Sequence, residues 1–311
     1  MKTVKAVPPY IHPGHLNFKL APYKAWVKCG GQVAKAHYPV RKLHRLAFDY
    51  ELPTIWQSRK ETRLRFVESL SLGFDTFPDY ARYEIIPMIW DCWPKYFEKT
   101  CEWFLRHKVR TAIFTSSQTA ERMQQRFPDM NILVITEGID TTRYPEGKSL
   151  NKRNCNYLEI GSKWRNYFSR LQPDAYDKLC NSPYKGRRMT DQEFSEMLCN
   201  SKVTVVLPKC VTEPWIAGDV ETLTQRYWEC MLSRMVMVGI APKELVDLIG
   251  YNPVIPFDEQ HAEEQVWDII HHIDDYQELV DKNRAVALRL SPWEPRIEQI
   301  RQFLVDCHYQ L

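Results

Sequence analysis

The chain has nine cysteines but no C-x-x-C pair, and the nine are scattered and odd in number. That spacing excludes a zinc ribbon and speaks against a secreted disulfide framework, so reduced thiols in a cytosolic protein are expected. The patterns G-x-x-x-x-G-K-S/T, G-x-G-x-x-G, G-x-S-x-G and H-E-x-x-H are all missing. Their absence removes the P-loop, the dinucleotide fingerprint, the nucleophile elbow and the metalloprotease helix. No Asp-x-Asp occurs either, so a metal-bound diphosphate is not signalled, and neither a metal nor a cofactor is expected. No run of about 18 apolar residues exists, hence no membrane-spanning helix is expected. Residues 1–10 carry lysines and prolines without an apolar core and do not read as a signal peptide. A net charge of +3 is too small to imply nucleic acid. Only 11 glycines are present, so each glycine-containing segment carries information.

What is present reads as an alternating α/β chain. At 311 residues it is long enough for two domains of roughly 150 residues each, and a chain of that size can bury a core without covalent staples. From residue 84 onward, strand-like apolar runs (84–90, 111–115, 131–136) alternate with helical spacing at 96–107 and 117–127. Phe97, Cys101 and Phe104 share one face of the first helix; Ser116 or Ser117 caps the second and Pro128 stops it. After a polar stretch at 144–154 that reads as a linker, the alternation restarts. Strands are predicted at 156–160, 202–207, 235–240 and 253–256, and helices at 191–200, 223–234, 243–249, 263–280 and 295–309. Strands joined by helices of this length require crossovers, hence parallel sheets covered on both faces. The expected fold class is α/β, two Rossmann-like domains facing a cleft, with ligands at strand carboxyl ends where strand order reverses. The first 80 residues are less legible; Gly30-Gly31 reads as a strand–turn–helix loop before a helix at 33–48.

The segment that carries chemistry is 212–239. A turn-rich loop with Pro214, Gly218 and Asp219 leads into Glu221, and a helix carrying Glu229 follows. If that helix starts near Thr222, the N–H groups of Thr222, Leu223 and Thr224 are unpaired and available to a sugar hydroxyl or phosphate oxygen. Glu229 then lies about 12 Å further along the axis, rotated by about 80°. Two carboxylates so placed cannot flank one scissile bond, which needs roughly 5 Å to 10 Å. They suit an extended ligand with hydroxyl clusters at both ends, each diol held by charged hydrogen bonds. Spacing alone leaves a second reading open, in which Glu229 is a surface residue and Glu221 a helix-dipole partner.

With its flanks, Glu221-x7-Glu229 resembles the retaining glycosyltransferases built from two Rossmann-like domains (the GT-B architecture). The likeness is closest to family 4, the group 1 glycosyl transferases, and their spore-coat relatives. Ile160-Gly161 resembles the first donor-domain strand, and Tyr184-Lys185-Gly186, 193–198 and 201–208 resemble the run before the acidic motif. Glu244-Leu245-Val246 and 253–258 resemble the stretch that closes the donor site; Thr115-Ser116-Ser117 and 137–141 resemble the end of the acceptor domain. The sequence departs from the pattern in having Thr222 and Thr224 in place of glycines, a different basic spacing, and a short N-terminal half.

The resemblance implies a reduced acceptor-binding domain at 1–148, a nucleotide-sugar donor domain at 149–294, and a helix at 295–311 packing back on the first. It implies a metal-independent hexosyltransferase that moves a sugar from a nucleoside diphosphate to a hydroxyl acceptor, with retention. The acceptor would be a glycan or a lipid-linked sugar of polysaccharide biosynthesis. Glu221 would contact the donor sugar and Glu229 the ribose, while the main-chain donors of Thr222, Leu223 and Thr224 hold sugar and diphosphate oxygens. Lys163 and Arg165, just past Gly161, would neutralise the departing diphosphate. Asp91 follows the run 84–90 and would orient the acceptor hydroxyl or donor sugar; its other reading is a turn residue before Pro94. Trp90 and Trp93 read either as an acceptor-stacking platform or as core, and His12 and His15 carry no assignment. Basic clusters at 41–45 and 59–65 read as solvated helix faces or as contact with an anionic membrane. A cytoplasmic protein, peripheral at the inner membrane face, is the expectation. Two other functions stay open: an epimerase-type enzyme on the same fold, and a nucleotide-sugar-binding protein without catalysis.

Overall fold

The computed structural model describes residues 1–10, 18–36, 53–54, 57–161, 163–183 and 189–311. The chain forms two compact units: residues 1–138, 216–220 and 293–311 make unit 1, and residues 139–215 and 221–292 make unit 2. The division therefore falls at 138/139, earlier than the expected 148. The reason is local packing. Ile139 donates its N–H to Ser291 O at 2.8 Å, and Ile139 and Tyr144 are already part of the unit 2 core. Nor is 144–154 a loose linker, since Tyr144, Leu150 and Arg153 are buried.

Unit 1 runs β1 (Thr3–Ala6), α1 (Leu20–Lys28), β2 (Glu61–Glu68), α2 (Leu72–Thr76), β3 (Glu84–Trp90), α3 (Pro94–His107), β4 (Thr111–Phe114), α4 (Ser117–Arg126) and β5 (Asn131–Val134). The strands form one parallel sheet in the order β1-β2-β3-β4-β5. Buried on both faces, β3 is apolar from Ile85 to Trp90, as central parallel strands are. Its residues alternate with the pleat. Ile85 and Ile89 enter the core with Phe104 and Met123; Ile86, Met88 and Trp90 enter the core with Trp26. The C-terminal helix Trp293–Asp306 belongs to this unit and adds Trp293, Ile297, Ile300 and Leu304 to the second core.

Two expectations for this half are corrected. Residues 61–65 lie on β2, not on a helix face. Arg63 is buried against the Tyr83 ring at 3.6 Å and pairs with Glu61, and Arg65 pairs with Asp79 at 3.6 Å, while Arg59 is exposed. Gly30-Gly31 follows the helix α1 rather than a strand, and residues 33–36 are not helical, Val33 bridging to Ala6. The rest of the helix expected at 33–48, the cluster at 41–45, His12 and His15 lie outside the described residues.

Unit 2 runs β6 (Cys155–Tyr157), α5 (Phe168–Leu171), α6 (Pro173–Leu179), α7 (Asp191–Asn200), β7 (Ser201–Val206), α8 (Lys209–Thr212), α9 (Pro214–Ala217, whose end passes to unit 1), α10 (Gln225–Leu232), β8 (Val236–Gly239), α11 (Lys243–Ile249), β9 (Ile255–Pro256), α12 (Ala262–His271) and α13 (Gln277–Leu290). The sheet is parallel, in the order β6-β7-β8-β9. Val203, Val205, Val236 and Val238 pack on one face with Val266 and Ile269; Val206 and Met237 pack on the other with Trp228 and Met231. The helix α7 starts on a full capping box, Thr190 accepting from the Glu193 N–H and Glu193 from the Thr190 N–H. Gly239 is required at the end of β8, because its φ is +149° and a Cβ there would come within 1.8 Å of Val206 O. The helix expected at 263–280 is two helices separated by a 3-10 turn at Ile273–Tyr276. At that break the His272 N–H donates to Asp268 O and the His272 ring also lies 3.0 Å from it, a local side-chain contact that competes with helix continuation. In unit 1, residues 32–34 pair parallel with β1 on the edge opposite β2, the Ala6 N–H donating to Gln32 O and the Ala34 N–H to Ala6 O at 2.9 Å each, so strand order reverses at β1; among the described strands of unit 2 no reversal occurs.

Candidate functional site

The acidic motif is built differently from the expectation. The helix α10 begins at Gln225, and Thr224 before it is extended, with φ −106° and ψ 160°. Residues 221–224 are therefore not helical, and the separation along one helix axis does not apply to Glu221 and Glu229. The donors expected to be open are partly used within the protein. Glu244, in the first turn of α11, accepts from the Leu223 N–H at 2.8 Å and from the Thr222 hydroxyl at 3.0 Å. Glu221 in turn accepts from the Lys243 N–H, the first residue of α11, at 2.9 Å. A carboxylate at that helix start is favourable because the first N–H groups lack partners and carry partial positive charge. The two glutamates thus tie the motif segment to α11 reciprocally. Leu223 is buried, and Glu221, Thr222 and Thr224 are half-buried.

Glu229, in the next turn of α10, is 8% exposed, which rules out the reading as a surface residue. It accepts a hydrogen bond from the Tyr144 hydroxyl at 3.1 Å. Burial raises its pKa, while the Tyr144 bond and the Arg226 charge act the other way. Burial, and then Glu229, hold the Tyr144 phenol well above its ordinary range. Tyr144 is therefore a protonated donor at neutral pH, and it fixes the carboxylate's orientation.

The third part lies past the end of β6. Gly161 has φ +101°, and a Cβ there would come within 2.2 Å of the Arg226 Nη2. The guanidinium therefore lies over a backbone position that has no side chain. Arg226 sits in the first turn of α10, is 7% exposed, and has no hydrogen-bond or ion-pair partner among the described residues. Burial lowers its pKa, and the neighbouring Arg165 charge lowers it further. Arg165 pairs with Glu213 at 3.4 Å. Lys163 is exposed, its ammonium 5.0 Å from the Trp164 ring, which meets Trp215 edge to face at 5.9 Å. Of the two expected cations, Arg165 is thus near Arg226, and Lys163 rests on an exposed aromatic.

Tyr144, Arg226 and Glu244 were not singled out for these positions by the sequence. An arginine in a helix's first turn ordinarily reads as solvated, and Tyr144 fell in an apparent linker. Glu244 belonged to a stretch the resemblance had marked, without its hydrogen-bonding role.

Asp91, in unit 1, follows the last residue of β3 with φ +53°, a left-handed conformation that costs a non-glycine residue about 1 kcal/mol or more. It is half-buried, and its carbonyl accepts from the Trp93 N–H at 2.8 Å. Trp90 and Trp93 are 1% and 3% exposed, and Trp90 packs edge to face on Phe18 and Trp293. Both are core residues, not a stacking platform. Ser116 caps α4, as read from sequence. Residues 184–188, which include part of the resemblance, lie outside the described residues. Among the described residues, no helix is long and apolar enough to cross a membrane.

The sequence matches no protein-family model and no curated protein. Solved structures share its fold. Anabaena HepE in complex with UDP superposes with a TM-score of 0.60 over 98% of this chain and 100% of that one, at 10% identity. AviGT4, a glycosyltransferase involved in avilamycin A biosynthesis, gives 0.54 over 97% of each chain at 12% identity. A glycosyltransferase from Rickettsia africae gives 0.51 over 97% of this chain and 98% of that one, at 11% identity. At such identities the likeness is one of fold: α/β, with parallel sheets.

Proposed function

We propose that the protein is a glycosyltransferase that takes a sugar from a nucleoside-diphosphate sugar and passes it to a hydroxyl acceptor. The observation that carries this reading is the convergence of a buried carboxylate, Glu229, and a buried guanidinium, Arg226, on one helix beside the bare Gly161 backbone. A ribose diol asks for an accepting carboxylate, and a diphosphate asks for fixed cations. The complexes of HepE with UDP and with UDP-glucose support the same assignment by likeness of fold.

In this reading Glu229 accepts from the ribose hydroxyls, with Tyr144 holding it in place. Glu221 and the segment Thr222–Leu223–Thr224 border the sugar, the missing side chain at Gly161 makes room for the Arg226 guanidinium, and Lys163 and Arg165 add positive charge. Asp91, in unit 1, keeps its assignment to the acceptor hydroxyl or the donor sugar on the sequence resemblance alone. The bond from the anomeric carbon to the diphosphate oxygen breaks with its electron pair going to the diphosphate. The acceptor oxygen bonds to that carbon, and its proton passes to the departing diphosphate. Retention, metal independence and a glycan or lipid-linked acceptor belong to the proposal on the strength of the sequence resemblance. The test is release of nucleoside diphosphate from a panel of UDP-, GDP-, ADP- and TDP-sugars by the wild type and by Glu221→Ala. Turnover that falls in the variant while the bare nucleotide still binds is the expected result. No turnover by the wild type with any donor, or an unchanged rate in the variant, would refute the assignment.

A further inference from the structure

A buried guanidinium without a partner is costly, because its desolvation is not offset by a hydrogen bond or an opposite charge. Arg226 is in that situation, and its surroundings make matters worse rather than better. The nearest cation, Arg165, repels it, and the acidic neighbour of Arg165, Glu213, bonds to Arg165. Glu229, one helical turn further on and bonded to Tyr144, attracts Arg226, but more weakly than burial and Arg165 act against it. The space over Gly161 that a side chain at 161 would fill is taken by the guanidinium itself. Such a cluster is electrostatically incomplete until an anion joins it.

The geometry identifies the kind of anion. A guanidinium presents a planar fork of donors that matches two oxygens of a phosphate. Arg226 and Glu229 are three residues apart on α10, about 4.5 Å along its axis. That places a phosphate-type donor group next to a diol-type acceptor group, the order in which a nucleoside diphosphate presents its diphosphate and ribose. Lys163 is less suited: it is exposed and rests on the Trp164 ring, so its charge is spent largely in water.

We infer that Arg226, rather than Lys163, is the residue that grips the diphosphate of the donor, with Arg165 as its auxiliary. This rests on the nucleotide-sugar reading above. The test is calorimetry of the full chain and its variants against UDP, GDP, ADP and TDP, each beside its own nucleoside. For the best-bound nucleoside diphosphate, Arg226→Gln should lose about ten- to hundredfold in affinity, the worth of charged hydrogen bonds. Its affinity for the nucleoside alone should be unchanged, which also shows that the variant is folded. Arg226→Lys should recover part of the loss, and Lys163→Ala should lose less than about threefold, as an exposed charge does. The inference is overturned if Arg226→Gln preserves the preference for diphosphate over nucleoside, or if nucleoside binding disappears with it. Failure of the wild type to bind any nucleoside diphosphate is a separate result, and it removes the parent reading instead.

Discussion

In unit 1 the buried ammonium of Lys19 lies 2.8 Å from an Asp75 oxygen and 3.3 Å from a Glu68 oxygen. In unit 2 the buried guanidinium of Arg226 has no such partner among the described residues. Burial pulls the Lys19 pKa down, but the two carboxylates outweigh it and hold the value above the ordinary one. Burial also pulls Arg226 down, and the second-largest influence, Arg165, acts in the same direction. One cation is compensated by its own protein and serves the fold. The other is offset only in part, by the Glu229 charge, and stays below its ordinary value, which a structure tolerates at a place where a ligand can supply the missing charge.

The sharpest way to break this comparison is to neutralise each cation in turn. Lys19→Gln strands two carboxylates, one of them buried, and should destabilise the protein by about 3–5 kcal/mol; denaturant melts read this directly. Arg226→Gln should cost less than about 1 kcal/mol in the same experiment, because no internal pair is broken. Equal losses would mean that Arg226 is a structural cation.

A third buried group, His107 in unit 1, extends the contrast to a residue kept neutral. It lies between the Tyr80 and Trp103 rings at 4.5 Å from each. Burial, aided by Arg106, pushes its pKa down to about 4 from 6.5. Between those values the unfolded chain binds a proton that the native state does not. Stability is therefore full above about pH 6.5 and falls as pH drops toward 4, by on the order of 3 kcal/mol. His107→Phe should flatten that part of the acid melt, and an unchanged pH slope would show that the ring is not the group responsible.

Much of the framework was legible because it rests on short-range patterns. The run 84–90 is apolar after Glu84 and is β3; 191–200 opens on a capping box and is α7; 243–249 is α11 to the residue. What the sequence did not reveal depends on contacts far along the chain. The extended start at 221–224 is stabilised by Glu244, about twenty residues away, and by the extended conformation of Thr224. The burial of Arg226 depends on Gly161 having no Cβ, and that of Glu229 on Tyr144. None of these pairings has a periodicity that could announce it. The break at 273–276 was missed for a smaller reason, a histidine contact that helical spacing does not register.

Two smaller effects sharpen the comparison within unit 2. Glu229→Ala should weaken nucleoside binding by about 1–3 kcal/mol, the cost of leaving hydrogen-bonding groups without a partner, and the loss should be the same for nucleoside and nucleoside diphosphate. A loss confined to the diphosphate would reverse the roles given to Glu229 and Arg226. Glu244→Gln keeps the shape but removes the charge that holds Leu223 and Thr222, and should cost about 1 kcal/mol of stability. Turnover should fall further than binding in that variant, because the segment beside Glu221 loosens; equal effects on both would detach Glu244 from the site.

The most direct measurement is titration of the wild-type chain with UDP, GDP, ADP and TDP by calorimetry. Saturable one-site binding of one of them, with clear preference over its nucleoside, is the expected result. Absence of heat or of saturation with all four nucleoside diphosphates would contradict the assignment of the Gly161–Arg226–Glu229 cluster as a nucleotide-sugar site.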